Sequence, residues 1–245
     1  MIKLLGENIE AVLFDKDGTI IDFSSIWIPW AKDIYEYLLS TIPNCNLRYE
    51  QLMKALGAGE VDEQADPRGP LAIGTMLESQ HIVAFKLYEG GMPWNVAVIH
   101  AKDSVDYANE KQNHSAFIQA ISGIDECLAT LKENKLMLGV LTADDTEKAW
   151  HHLKKVGLEN YFDFVIGSDQ VANGKPYPDM ALLAKERYGI NLSEAMMIGD
   201  TNADMQLGKN AGMKMSVGIV SSSSKEAAHL EDADRIIYHY QQLFK

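Results

Sequence analysis

The stretch Ala11-Val12-Leu13-Phe14-Asp15-Lys16-Asp17-Gly18-Thr19-Ile20 decides the fold. Four consecutive apolar residues suit a strand buried on both faces, as in a parallel sheet covered by helices. The run then empties into two carboxylates, a glycine and a threonine. In an open α/β sheet the ligand crevice lies beyond the carboxyl ends of the strands, so polar residues placed there are where chemistry is to be sought. Asp15 and Asp17 are the first candidates.

Beyond residue 114 the pattern alternates helix and strand. Strands are expected at Leu136 to Leu141, Phe164 to Ile166, Met196 to Ile198, Met215 to Ile219 and Arg235 to Ile237. Helices are expected around Asp125 to Glu133, Asp145 to Val156, Asp179 to Tyr188 and Ala203 to Asn210. In the second of these Ala149, Leu153 and Val156 share a face, with Gly157 placed to end it. Strands separated by helices call for right-handed crossovers and a parallel sheet, so the expected class is α/β with a Rossmann-like core.

The segment from residue 22 to residue 114 reads differently. Trp30, Ile34 and Leu38 recur at four-residue spacing, as do Leu52 and Leu56 or Val83 and Leu87, and Val98 with Val105 fits the same period. This predicts an α-helical cap domain, 22–114, inserted into a core made of 1–21 and 115–245. Gly57 to Gly74, rich in Gly and Pro, predicts a long irregular loop, and long loops in compact domains are often functional. The polar run Asn109 to His114 is expected to be the return linker. The serines 221–224 are expected to form a loop capping the next helix.

The 245 residues exceed one average domain, which suits a core with a sizeable insertion. With 35 acidic against 22 basic residues the formal charge is -13, which argues against nucleic acid or an anionic membrane as the main partner. Cys45 and Cys127 are far apart and lack metal-ligand spacing; both are read as buried apolar residues in a reducing compartment. No apolar stretch approaches the roughly 20 residues needed to span a bilayer, and the first residues lack a leader pattern. The expectation is a cytoplasmic protein, monomer or homodimer. Trp27, Trp30 and Trp94 are read as packing residues, and His81, His100, His151 and His152 as surface or packing residues.

Each core strand that matters ends in a different polar group. The first ends in Asp15 and Asp17, the second in Thr142, a loop after the third carries Lys175, and the fourth ends in Gly199-Asp200, with Asp204 four residues on. Asp-Lys-Asp-Gly-Thr, the threonine after a hydrophobic strand, the Lys175-Pro176 pair and Gly-Asp-x-x-x-Asp together resemble the four ordered signatures of the haloacid dehalogenase-like superfamily. The resemblance covers nearly the whole chain and is nearest to the phosphoglycolate phosphatase-like branch.

That resemblance implies a Mg²⁺-dependent phosphatase acting on a small phosphorylated metabolite through an aspartyl-phosphate. Asp15 is the implied nucleophile and Asp17 the implied general acid and base. Asp15, the backbone carbonyl of Asp17 and Asp200 are the implied metal ligands, with Asp204 beside them. Thr142 and Lys175 are implied to hold the phosphoryl oxygens, together with backbone amides around Lys16 and Ala143. Only the amide of Lys16 is invoked, because its side chain varies in the family. Asp144 or Asp145 is read as a helix N-cap. Arg68, one of four arginines, is a candidate for meeting a substrate anion.

The first motif is also similar to that of P-type ion pumps, but those carry Thr at the second acidic position and need membrane helices. A dehalogenase does not need Asp17 or Asp200. A phosphomutase of the β-phosphoglucomutase type, or a non-catalytic module binding a phosphate ligand, remain the alternatives.

Overall fold

The structure, a computed structural model, describes residues 3–59, 65–114, 117–220 and 227–245. The serine run 221–224 lies outside the described residues. Contacts divide the chain into two compact units, Met1–Asp22 with Gln119–Lys245, and Phe23–Ile118. No helix among the described residues is long and apolar enough to cross a membrane.

The second unit is helical: α1 (Phe23–Thr41), α2 (Tyr49–Leu56), the short α3 (Pro70–Ile73), α4 (Met76–Glu89) and α5 (Trp94–His114). Trp30, Ile34 and Leu38 of α1 are buried with Leu52 and Leu56 of α2 and Val83 and Leu87 of α4. Along α5 the small residues Ala97, Ala101 and Ala108 are completely buried, which lets α1 and α4 pack close to it. Thr75 and Glu78 start α4 with a reciprocal capping box, a device worth about 1 kcal/mol.

Three expectations for this unit need correcting. The polar run Asn109 to His114 is the last part of α5 and not a linker. Asn109 Oδ1 accepts the indole N–H of buried Trp30 at 3.0 Å, and Lys111 pairs with Asp33, so the polarity serves contacts between α5 and α1. Trp94 is 47% exposed, unlike Trp27 and Trp30. Cys45 is only half-buried, whereas burial pushes the Cys127 thiol up to about 12.

The first unit opens with an antiparallel hairpin of β1 (Lys3–Leu4) and β2 (Glu7–Asn8) that the sequence reading did not foresee. Its main sheet contains β3 (Ala11–Phe14), β4 (Met137–Leu141), β5 (Phe164–Ile166), β6 (Ala195–Gly199), β7 (Met215–Ile219) and β8 (Arg235–Ile237). They run in the order β5-β4-β3-β6-β7-β8, and every neighbouring pair is parallel. The helices are α6 (Ile124–Glu133), α7 (Thr146–Lys155), α8 (Asp179–Tyr188) and α9 (Asn202–Asn210).

β3 lies between β4 and β6, and Val12, Leu13 and Phe14 are completely buried, as the four-residue apolar run requires. Leu13, Leu141, Ile166 and Met197 form one cluster with Met180 and Ala184 of α8 and Leu207 of α9. The register sets Phe14 beside Val140 and Ile198. Asp15, Thr142 and Asp200 therefore leave three adjacent strands at the same edge of the sheet.

Candidate active site

Asp15 extends the ladder by one bond, its N–H donating to Ile198 O at 2.8 Å. The chain then curls back: the amides of Ile20 and Ile21 donate to Lys16 O at 2.8 and 2.9 Å, and Gly18 takes φ +81°. That turn brings the Thr19 hydroxyl to Asp200 Oδ1 at 3.2 Å. Thr19 is completely buried, and its carbonyl accepts the Tyr240 hydroxyl.

Asp200 and Asp204 flank the start of α9. Asp204 Oδ2 accepts the N–H and hydroxyl of Thr201 at 3.1 and 2.6 Å, so the helix start itself fixes that carboxylate. Its other oxygen meets Lys175 Nζ at 2.6 Å, and Lys175 reaches Asp15 Oδ1 at 2.5 Å. Carboxylate oxygens of Asp15, Asp200 and Asp204 all lie within 4.8 Å of one another.

Three clustered carboxylates against one ammonium leave uncompensated negative charge in a buried place. Burial, opposed by Lys175 and reinforced by Asp204 and Asp17, pushes the Asp15 carboxyl up to about 7. Burial and the charges of Asp15 and Asp204 raise Asp200 well above the usual carboxylate range. Burial alone would lower the Lys175 ammonium; Asp15 and Asp204 reverse this and hold it above its usual range. An all-oxygen donor set with excess negative charge suits a hard divalent cation, so Asp15, Asp200 and Asp204 fit a metal of the Mg²⁺ type.

Of the residues singled out in the sequence, Asp15, Lys175, Asp200 and Asp204 are in mutual contact or close to it. Thr142, 1% exposed, continues β4 by donating its N–H to Ile166 O at 3.1 Å, and Ala143 follows it on the same edge. The Asp17 carboxylate is set apart from the three clustered ones and meets Lys16 Nζ at 3.1 Å. Arg68 belongs to the helical unit, where its side chain is exposed and its Nε lies 3.3 Å from Asp66 Oδ1.

Asp144, Lys16 and His152 have environments other than those expected. Asp145 is the N-cap residue of α7 by position, without a side-chain capping bond, while Asp144 is buried against Lys16 Nζ at 2.9 Å. The Lys16 side chain is completely buried, and its Nζ also stands 2.9 Å from Nδ1 of His152, itself 1% exposed. Burial and the Lys16 charge lower the His152 imidazole to about 3, which keeps it neutral. The available signal was helical spacing: His152 follows Ala149 by three residues and shares its buried side. His229 is also new, its Nε2 lying 3.0 Å from Asp200 O.

A family model for haloacid dehalogenase-like hydrolases matches residues 9–212. The chain belongs to the haloacid dehalogenase-like hydrolase family and is an enzyme of the hydrolase class. A phosphorylated carbohydrates phosphatase from Thermotoga maritima is 29% identical over 147 residues, spanning 58% of this chain and 68% of the relative. A protein of Caldanaerobacter subterraneus subsp. tengcongensis, provisionally named pyrophosphatase PpaX, is 30% identical over 238 residues, 97% of this chain and 94% of its own. The crystal structure of a predicted phosphoglycolate phosphatase from Haemophilus somnus 129PT shares the fold, with TM-score 0.72 at 17% identity and 95% of each chain covered.

Proposed function

We propose that this enzyme is a Mg²⁺-dependent phosphatase that hydrolyses a small phosphorylated metabolite through an aspartyl-phosphate on Asp15. The observation that carries this reading is the convergence of Asp15, Asp200 and Asp204 within 4.8 Å beside the buried Lys175 ammonium. The phosphatase names of the two sequence relatives support the same reaction class.

Phosphate monoester hydrolysis is among the slowest uncatalysed reactions, and placing charge and dividing the step are the main means of accelerating it. A divalent cation held by Asp15, Asp200 and Asp204, with the Asp17 carbonyl, would neutralise the phosphoryl charge facing the nucleophile. A carboxylate oxygen of Asp15 attacks phosphorus, the bond to the leaving oxygen breaks, and Asp17 gives that oxygen its proton. Asp17 then takes a proton from water, whose oxygen attacks phosphorus and frees Asp15 and inorganic phosphate. The Thr142 hydroxyl and the Lys175 ammonium hold the phosphoryl oxygens, the first by hydrogen bond and the second as a fixed charge. Arg68 supplies the candidate contact to a further anionic group of the substrate.

Phosphate release from phosphoglycolate, pyrophosphate, sugar phosphates and nucleotides, each with and without Mg²⁺, tests the reading. Cation-dependent release well above background from at least one compound is the expected result. Isomerisation of a sugar phosphate without release would point to a mutase. Silence on every compound would favour a binding role.

A further inference from the structure

The cluster of Lys16, Asp144 and His152 takes no part in the reaction just described, yet it touches one of its groups. Lys16 Nζ stands 2.9 Å from Asp144 Oδ2, 2.9 Å from His152 Nδ1 and 3.1 Å from Asp17 Oδ2. The side chains of Lys16, Asp144 and His152 are at most 1% exposed, whereas that of Asp17 is 15% exposed. An ammonium offers three hydrogens in a tetrahedral array, and the contacts to Asp144, His152 and Asp17 each bring an acceptor to this one. For Nδ1 to accept, the imidazole carries its proton on Nε2, an assignment that follows from the contact.

The far side of this clamp is rigid. Asp144 Oδ1 accepts the Asp145 N–H at 2.9 Å, and the Asp144 N–H donates to Thr142 Oγ1 at 3.1 Å. His152 is held inside α7. The ammonium is thus anchored to the β4–α7 connection and to α7, and meets Asp17 there. A buried ion pair is an expensive way to fill space, since replacing both partners by neutral groups of similar shape is often neutral or stabilising. What sets this pair apart from mere filling is that its ammonium also meets Asp17, at 3.1 Å.

We propose that Lys16, clamped by Asp144 and His152, is a positioning residue for Asp17. Its ammonium fixes one carboxylate oxygen, so that the other serves the leaving group and then the attacking water. This rests on the reading of Asp17 as the proton carrier. Misplacement of an acid–base group by about 1 Å can cost on the order of 10²-fold in rate without weakening substrate binding.

The test is the pair of charges removed together. Lys16→Met/Asp144→Asn removes one charge of each sign, so the net charge of the cluster is unchanged and only Asp17, 15% exposed, loses a cation; the variant is expected to melt within a few degrees of wild type. Its KM should stay within about twofold while kcat falls at least tenfold. A folded double variant with wild-type kcat would overturn the proposal, because a purely structural cluster is dispensable once its charges are balanced. Asp144→Asn alone, which keeps the shape and one acceptor oxygen, decides the matter should the double variant not fold. It is expected to lose at least threefold in kcat at unchanged KM, and an unchanged kcat overturns the proposal. Asp17→Asn measured alongside separates the two readings: full activity there defeats the role of Asp17 itself. An inactive Asp17→Asn with a fully active double variant defeats only the role of Lys16.

Discussion

Gly18 and Asp200 share one small space: a Cβ placed on Gly18 would lie 1.9 Å from Asp200 Oδ2 and 2.4 Å from its Cγ. The turn after β3 and the end of β6 can approach only because residue 18 has no side chain, and its φ of +81° disfavours any other residue as well. Gly18→Ala is therefore expected to displace the Asp200 carboxylate. Activity should fall on the order of 10²-fold, and the rise in melting temperature that the proposed metal site predicts for wild type with Mg²⁺ should be absent. Retention of both by a folded variant would show that Asp200 can move without consequence.

Lys175 is the one cation in contact with Asp15 and Asp204 among the ion pairs described. Lys175→Met removes a partner from a buried pair, a change that typically costs about 3–5 kcal/mol. Urea denaturation at pH 8 without metal should show a loss of that order. The difference from wild type should shrink at pH 5, because carboxylates that take up protons no longer need the ammonium. A difference independent of pH would contradict this account.

The raised carboxyl of Asp15 sets the sign of a pH effect. Its value is 3.8 when unperturbed and about 7 in the fold without metal. Below the lower value both folded and unfolded chains hold the proton. Between the two values the unfolded chain releases it first, so stability falls as pH rises and the loss is complete above the higher value. Thermal melts of the metal-free protein, compared with Asp15→Asn, should show this extra decline in wild type alone. Mg²⁺ competes with protons for the same oxygens, so its stabilising effect should be larger at pH 8 than at pH 5.

Asp15 and Asp17 have separable roles in the proposed reaction. Asp15→Asn should lose at least about 10³-fold in turnover and accumulate no phosphorylated protein. Asp17→Asn should slow hydrolysis of alkyl phosphates by about 10²–10⁴. With p-nitrophenyl phosphate, whose leaving group needs no proton, it should instead trap phosphorylated protein. Intact-mass measurement of rapidly quenched samples distinguishes these outcomes.

Arg68 is expected to influence the choice of substrate without influencing the chemistry. Arg68→Ala should raise KM for the physiological substrate about tenfold and leave p-nitrophenyl phosphate hydrolysis within twofold. Parallel changes for both substrates would remove Arg68 from substrate recognition.

The central strands were legible because each is a short, mostly apolar run closed by polar or turn residues, and burial on both faces forces that pattern; β8, at the sheet edge, is an exception, with Arg235 and Ile236 exposed. The periodic apolar positions of α1, α2 and α4 were legible for a similar reason: only one stripe of each helix is buried. Composition misled at the end of α5. A polar run there reads as a linker, but Asn109 and Lys111 extend the helix through contacts with Trp30 and Asp33, at separations of 79 and 78 residues that no local window contains.

The same division holds at the site. By itself the sequence determined that Asp15, Thr142 and Asp200 lie at one edge, since strand periodicity and parallel crossovers place every strand end on the same side. Only the tertiary structure decided which charges meet. Lys175 lies 160 residues from Asp15, and Lys16 lies 128 residues from Asp144. Lys16 looked like a variable side chain between two acidic neighbours, and His152 like a helix residue without a ligand pattern. Their contacts follow from how α7 packs and from the need of a buried ammonium for anionic and lone-pair partners.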